Sequence, residues 1–160
     1  MLPTYLGHTL PNLQEFILQD NRLKGPIPTS LCNASGLQIF DLNQNSFAGP
    51  VPLNLGCLAG LQGLNIGRNE LHSNDWSILT SLINCTVLKG LYLDGNKLSG
   101  SLPRSVGNLS TQLEHLSIGQ NRISGNIPDD IGNLANLTFL DMKQNLFTGS
   151  IPATIGSSKC

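Results

Sequence analysis

The residue types that most often perform catalysis are few in this chain, and they lie far apart along it. Its three histidines are His8, His72 and His115. A general base must lie within hydrogen-bond reach of the group that it deprotonates, and the titratable neighbour of His115 is Glu114 alone. The pair Asp129–Asp130 follows a proline in a predicted turn, where solvated carboxylates are expected rather than a metal site. We therefore expect no enzymatic activity, no catalytic residue, no bound metal and no cofactor.

The cysteines offer little further chemistry. They stand at positions 32, 57, 85 and 160, and none forms a C-x-x-C pair, so their spacing does not predict a zinc site. Cys85 is expected to be a small buried apolar residue, and Cys160 is expected to be unpaired. Cys32 and Cys57 are 25 residues apart in a chain with a 24-residue repeat, which puts them one position out of register. A disulfide between them is therefore the less favoured state.

Four N-x-[ST] sequons are the remaining sites where chemistry is expected. All four fall in segments that lead into a predicted strand, away from the predicted binding face. That placement fits sugar on one flank of a secreted protein, and we expect two or more of the sequons to be glycosylated in a secretory context. The alternative is that they are only repeat sequence. The acceptor residues are Asn33, Asn84, Asn108 and Asn136.

Composition excludes several classes of partner. The chain has 160 residues and a net charge of −1, with 12% charged and 5% aromatic residues. Nucleic acids and anionic membranes both require a basic patch, which is missing here. The sequence contains no apolar run near the roughly 18–20 residues that a membrane helix needs. Its first ten residues lack a basic segment followed by an apolar core, so they do not predict a signal peptide.

The dominant feature is an internal repeat. Six blocks begin with L-x-x-L-x-L-x-x-N-x-L, in which Phe, Ile or Met sometimes replaces Leu, and residues 1–12 form a partial block. A G-x-[ILV]-P motif follows in five of the six blocks. The blocks open at Leu13, Leu37, Leu61, Leu88, Leu113 and Leu137. Their asparagines are Asn21, Asn45, Asn69, Asn96, Asn121 and Asn145.

This spacing predicts a solenoid with a parallel sheet. Within x-L-x-L the side chains alternate as in a strand, so the leucines face inward and the intervening residues outward. One block cannot bury its apolar face alone, but stacked blocks form a continuous core. Each Asn follows its strand and can bond to free backbone groups of the coil, which predicts an asparagine ladder. The predicted strands are 13–18, 37–42, 61–66, 88–93, 113–118 and 137–142.

Block three departs from the rhythm. It lacks the G-x-[ILV]-P motif, and the following interval is 27 residues instead of 24. Trp76, Leu79 and Ile83 fall at helical spacing, and the Ser, Asn and Asp residues at 73–75 are all residue types that cap helices. The segment 76–84 is therefore predicted to be a short convex helix that packs Trp76 into the core.

The repeat resembles the plant-specific leucine-rich repeat. The unit N-x-L-x-G-x-I-P-x-x-[IL]-G-N-L recurs over nearly the whole chain. The resemblance implies a single leucine-rich repeat array over residues 1–160, an α/β solenoid with a right-handed superhelix. It also implies a concave parallel sheet, short convex helices or 3₁₀ turns, and a second short sheet near the G-x-I-P turn.

The irregular third block narrows the resemblance. Its D-W-x-I-L-T-S-L-x-N-C-T-x-L pattern is similar to the middle of the ectodomains of immune-type plant receptor-like kinases. That likeness implies a protein- or peptide-binding segment of a cell-surface receptor for pathogen or peptide perception, outside the plasma membrane and with a co-receptor as a further partner. Secreted enzyme inhibitors of the polygalacturonase-inhibitor type share the base repeat and stay an alternative, as does a non-functional receptor fragment. A kinase activity would belong to sequence absent from this chain.

The concave face is where ligand binding is expected. Its side chains form columns with few charges, several amides and isolated apolar spots, which suit an extended peptide or a protein flank. The glycines near the middle predict a shallow trough beside the tyrosine. The predicted ligand-contacting residues are Ile17, Gln19, Ile39, Asp41, Asn43, Asn65, Arg68, Tyr92, Asp94, His115, Ser117, Phe139, Asp141 and Lys143. No contact with nucleic acid, and no membrane contact by this segment, is expected.

The two ends of the array lack the polar caps that solenoids need. The sequence starts and ends inside a repeat, and the last block, which opens at Leu137, is shortened. We therefore expect the isolated chain to be marginally stable and to associate through its open ends.

Overall fold

Each predicted strand forms, and each pairs in parallel with the corresponding strand of the next coil. The structure is a computed structural model that describes residues 1–155. The observed strands lie within two residues of the predicted bounds, so this prediction is confirmed. The concave sheet consists of β1 (Glu15–Ile17), β3 (Ile39–Asp41), β5 (Gly63–Asn65), β7 (Gly90–Tyr92), β9 (His115–Ser117) and β11 (Phe139–Asp141).

The regular spacing of leucines from block to block places one apolar core along the axis of the coil. The central residue of each strand points inward, so that Phe40, Leu64 and Leu91 are fully buried. Phe16 stacks on Phe40 with ring centroids 6.1 Å apart. Burial decreases at the last coil, where Leu140 is only half-buried, because a coil is covered by its neighbours on both sides.

The asparagines form the predicted ladder between coils. The side-chain oxygen of Asn69 accepts the backbone N–H of Phe47 at 2.9 Å, two residues beyond the asparagine of the preceding coil. Its amide nitrogen donates to the carbonyl of Leu42 in the preceding coil at 3.0 Å and to that of Ile66 in its own coil at 3.2 Å. Buried backbone groups that the strand leaves free are thereby paired.

A second parallel sheet forms after the asparagine turn, as the family resemblance implied. Its order is β2-β4-β6-β8-β10-β12. The glycine of each G-x-[ILV]-P motif has a positive φ, such as +104° at Gly49, a conformation that glycine adopts without steric cost. The apolar residue two positions after the glycine is buried in the first, second and third of the described motifs, as Val51 is. The strands are β2 (Lys24–Gly25), β4 (Ser46–Pro50), β6 (Glu70–Ser73), β8 (Lys97–Ser101), β10 (Arg122–Asn126) and β12 (Leu146–Thr148).

The convex return path is built mostly from 3₁₀ turns. These lie at Thr29–Asn33, Leu55–Cys57, Arg104–Asn108 and Asp129–Asn133. The short helix α1 (Leu6–Thr9) occupies this path in the first coil and packs against the first 3₁₀ turn. Gly7 allows that approach, since a Cβ at this position would collide with the backbone carbonyl of Ser30.

Block three forms a helix on this path, although a shorter one than predicted. Helix α2 spans Ser77–Leu82, inside the predicted 76–84. Trp76 precedes it with φ +57° and ψ +20°, and its side chain is 1% exposed, so its predicted burial is confirmed. The Asp75 carboxylate accepts the N–H of Ser77 at 3.1 Å, and this hydrogen bond lowers the pKa of Asp75. Because Trp76 has this left-handed backbone conformation, the helix begins at Ser77, one residue after the predicted start.

The structure corrects the expectation for Cys32 and Cys57, which form a disulfide with their Cα atoms 5.6 Å apart. The two residues lie in 3₁₀ turns of adjacent coils. A one-residue offset in such a turn adds about 2 Å to a strand spacing of about 4.8 Å, which stays within disulfide reach. Cys85 is a free thiol and is buried as predicted. Its burial raises the pKa of the thiol to about 11. Cys160 lies outside the described residues.

Within residues 1–155, neither helix approaches the length and apolarity that would let it cross a bilayer.

Candidate functional site

Two rows of outward-facing side chains line the concave sheet. The parallel register brings equivalent positions of all six strands side by side. The upstream row consists of Glu15, Ile39, Gly63, Gly90, His115 and Phe139. The downstream row consists of Ile17, Asp41, Asn65, Tyr92, Ser117 and Asp141.

Three rings on adjacent strands form a feature that we call the aromatic platform: Tyr92, His115 and Phe139. The rings of Tyr92 and His115 stack with centroids 6.2 Å apart and an interplanar angle of 28°. The ring of Phe139 meets His115 edge-on at 6.0 Å. Phe139 is 47% exposed, and the other two are half-buried. The platform is therefore the largest exposed group of rings on the concave sheet.

The predicted trough beside Tyr92 is wrong, because neighbouring side chains fill both glycine positions. A Cβ at Gly90 would lie 2.9 Å from Cε2 and 3.5 Å from the hydroxyl of Tyr92, so the tyrosine ring reaches over this glycine. A Cβ at Gly63 would lie 3.2 Å from Cδ1 of Ile39. The space beside both glycines is thus occupied by neighbouring side chains.

Hydrogen bonds fix the amides and carboxylates of the first half of the face. Asp41 accepts the N–H of Asn43 at 2.8 Å through one oxygen and the side-chain amide of Asn65 at 3.1 Å through the other. Asn65 in turn accepts the N–H of Gly67 at 3.3 Å. These side chains are pre-oriented, so a ligand would meet them without a large loss of side-chain entropy.

Ion pairs orient charged side chains at the ends of later strands. Arg68 lies 3.9 Å from the Asp94 carboxylate and donates to the Gln44 side chain at 3.2 Å. Lys143 lies 3.0 Å from Asp141. Burial raises the pKa of Asp141, but the backbone and side-chain hydrogen bonds from Lys143 outweigh it, and the net pKa is lowered. Because both cations are largely exposed, these pairs orient side chains more than they stabilise the fold.

The other predicted contact residues differ in accessibility. Ile17 is 51% exposed and forms an apolar spot at the first strand. Gln19 is exposed just beyond that strand, and Ile39 is half-buried. Ser117 is only 4% exposed, since its short side chain stands between longer neighbours in the downstream row. It is the predicted contact residue that a ligand would reach least.

The sequon asparagines are all exposed, but they do not share one location. Asn33 and Asn108 end 3₁₀ turns, and Asn84 follows α2, all on the convex path. Asn136 differs, because it precedes β11 and lines a surface hollow together with Glu114 and other residues beside the concave sheet. The expectation that all four lie away from that face is therefore wrong for Asn136. Its amide also donates to the carbonyl of Thr111 at 2.7 Å.

The histidines lie in three separate elements, with His8 in α1, His72 in β6 and His115 in β9. Asp129 and Asp130 begin a 3₁₀ turn, where Asp130 faces Arg104 at 3.8 Å. Across residues 1–155, no group of three or more His, Cys, Asp or Glu side chains could hold a metal ion.

Two residues of the site are not among the predicted ligand contacts. Gly90 supports the Tyr92 ring, and Glu114 adjoins the platform, where its charge adds to burial in raising the pKa of Tyr92. The first had a readable signal, since residues i and i+2 of a strand share a face. The Gly-Leu-Tyr triplet thus placed a large ring beside a residue without a side chain.

Comparison with known proteins agrees with this geometry. The Leucine Rich Repeat family model matches residues 12–34, 87–109, 112–134 and 136–158. The Receptor kinase-like protein Xa21 of Oryza sativa subsp. japonica is 40% identical over 83 residues, which are 52% of this chain and 6% of that protein.

Two solved plant receptors share the fold. The plant peptide hormone receptor RGFR1, solved in complex with RGF2, superposes with a TM-score of 0.88 at 34% identity, covering 97% of this chain and 24% of that one. The Arabidopsis receptor kinase HAESA, solved with the peptide hormone IDA and the co-receptor SERK1, superposes with a TM-score of 0.85 at 28% identity. This match covers 94% of this chain and 24% of that one. The chain thus spans a quarter or less of each relative. It belongs to the leucine-rich repeat family, and it resembles a segment of a plant leucine-rich repeat receptor kinase ectodomain.

Proposed function

We propose that this chain is a ligand-binding segment of a plant cell-surface receptor-like kinase, and that an extended peptide or a protein flank binds across its concave sheet. In this proposal the segment lies outside the plasma membrane and takes part in pathogen or peptide perception. The signal passes to a kinase encoded elsewhere in the receptor.

The observation that carries the proposal is the concave face itself. It combines an exposed aromatic platform with carboxylates and amides held in place by the hydrogen bonds of Asp41 and the ion pair of Asp141. Aromatic anchors surrounded by oriented polar groups are typical of peptide- and protein-binding surfaces. Receptors with the same fold were solved with peptide hormones, and one of them with a co-receptor, which supports a peptide ligand and a co-receptor as partners.

The sequons fit this orientation. Sugar on Asn33, Asn84 and Asn108 would cover the convex path and leave the concave sheet free. Sugar on Asn136 would border the face near Glu114, so occupancy of this sequon would narrow the access to the platform. Mass spectrometry of the chain secreted from plant cells would measure the occupancy of each sequon separately.

A selection with a displayed library of random peptides tests the proposal. The enriched peptides are measured against a concave variant that combines Ile17→Arg with Gln19→Arg, both at exposed positions. The matched convex control combines Leu53→Arg with Thr80→Arg, which are also exposed. We expect the concave variant to weaken binding about tenfold and the convex control to leave it unchanged. Peptides that bind both variants equally, or a selection without enrichment, would contradict the proposal.

A further inference from the structure

The aromatic platform lies next to a carboxylate that has no ion-pair partner among the described residues. The Tyr92 ring reaches over Gly90 and is half-buried, so part of the ring is open to solvent. Glu114 is exposed, makes no ion pair within the described chain, and directly precedes His115, whose ring centroid lies 6.2 Å from that of Tyr92. Burial and the charge of Glu114 raise the pKa of Tyr92. A negative charge and an exposed part of an aromatic ring therefore lie close together.

The concave face has a net negative charge. Six carboxylates and three basic side chains lie on the concave strands or directly beside them, although the net charge of the chain is only −1. A ligand that complements this face is therefore cationic. The carboxylates are Glu15, Asp20, Asp41, Asp94, Glu114 and Asp141, and the basic residues are Arg68, Lys89 and Lys143.

Arginine meets both conditions better than any other side chain. Its guanidinium is planar and weakly hydrated, stacks on aromatic faces, and forms forked hydrogen bonds to a carboxylate. A lysine ammonium shares the charge but lacks the flat shape. An aromatic or aliphatic side chain could cover the rings but would leave the carboxylate without a partner.

We propose that the ligand is a cationic extended peptide and that the guanidinium of one of its arginines stacks on Tyr92 while it pairs with Glu114. Gly90 is the positioning residue, because its lack of a side chain leaves room for the Tyr92 ring. This inference rests on the proposed peptide-binding function and names the chemistry of its ligand.

The chain offers matched pairs of variants for the test. Gly90→Ala places a methyl group 2.9 Å from the Tyr92 ring and must lift it, whereas Gly63→Ala meets only the flexible end of Ile39 at 3.2 Å. Glu114→Gln removes the carboxylate at the platform, and Asp129→Asn removes an exposed carboxylate from a convex 3₁₀ turn, away from the concave face. Thermal melts verify that each variant is folded.

The probes are peptides enriched from the displayed random library and then synthesised, with affinities measured by calorimetry on the 160-residue chain. We expect the enriched peptides to carry arginine and a net positive charge. Replacing that arginine with lysine, Gly90→Ala and Glu114→Gln should each weaken binding about threefold to tenfold. The Gly63→Ala and Asp129→Asn controls should change it less than about twofold.

A variant that should strengthen binding, instead of weakening it, completes the test. Lys89 lines the same surface hollow as Glu114, so Lys89→Gln should strengthen the binding of a cationic peptide. Peptides that lack arginine, or that are insensitive to Gly90→Ala and Glu114→Gln, would overturn the arginine site. If those peptides still lose affinity to the concave variant that combines Ile17→Arg with Gln19→Arg, the proposed function stands and only this inference fails. A selection without enrichment overturns both.

Discussion

Replacing Asn96 by alanine tests how the coils are held together. The Asn96 oxygen accepts the N–H of Leu71 in the preceding coil at 3.0 Å. Its nitrogen donates to the carbonyl of Ile66 in that coil at 3.0 Å, and to those of Leu93 and Asp94 in its own coil at 3.2 and 3.3 Å. The side chain is buried, so water cannot replace these bonds without opening the coil.

The expected cost follows from the groups left unpaired. An unsatisfied buried donor or acceptor costs about 1–3 kcal/mol. Asn96→Ala removes the partner of the Leu71 N–H, whereas the Ile66 carbonyl still accepts from the Asn69 amide at 3.2 Å, so the variant should be about 1–3 kcal/mol destabilising. Asn21 is the matched control. It is exposed, and its amide bonds only to the carbonyls of Leu18 and Gln19 in its own coil. Asn21→Ala should therefore cost about 1 kcal/mol or less.

Urea melts followed by circular dichroism measure both variants, and the comparison uses midpoints because repeat arrays can lose two-state behaviour. Hydrogen exchange adds a local reading, in which Asn96→Ala should speed the exchange of the Leu71 N–H beyond the global loss of stability. If Asn96→Ala is too unstable to purify, Asn145→Ala replaces it, since Asn145 accepts the N–H of Ile123 in a half-exposed setting. Equal midpoints for Asn96→Ala and Asn21→Ala would refute the ladder as a source of stability.

Three other predictions follow from buried or charged groups. Trp76→Ala should cost about 3–5 kcal/mol, and native Trp76 fluorescence should be blue-shifted and poorly quenched; full quenching by iodide would contradict burial. Cys57→Ser should cost about 3 kcal/mol by opening the loop to Cys32, whereas Cys85 should resist alkylation in the native state because its pKa is about 11; mass spectrometry under non-reducing conditions reads both cysteine states. The lowered pKa of Asp141 contributes stability that is present above the ordinary value of about 3.9 and is lost as the pH falls through the lowered pKa. Asp141→Asn should therefore reduce the fall of the melting temperature with decreasing pH in the acid range. An unchanged pH dependence of the melting temperature would refute this.

The elements that repeat could be predicted because each is a local pattern with one physical solution. The Leu13 and Leu37 blocks alternate apolar and polar residues, and a strand is the structure that buries alternate positions. Asn69 follows at a fixed offset, where free backbone groups need a partner. The glycine of the G-x-[ILV]-P motif adopts the positive φ that its residue type allows.

Elements that depend on two coils could not be predicted in the same way. The bond between Cys32 and Cys57 depends on how two 3₁₀ turns stack, and the sequence suggested only a register mismatch. The position of the Tyr92 ring over Gly90 depends on the direction in which the side chain leans, which the alternation of side chains does not specify. Likewise, the exposure of Asn136 beside the concave face follows from the stacking of neighbouring coils.

By itself, therefore, the sequence determined the repeat, the strands, the asparagine ladder and the face on which side chains point outward. These are set by alternation within each coil and by the need to pair backbone groups at the same offset in every coil. Only the tertiary structure decided which outward side chains meet, namely the rings of the platform, the carboxylate of Glu114 beside it and the disulfide between coils. Contacts between coils depend on side-chain directions and on offsets of a few ångströms, and the one-dimensional repeat leaves both open.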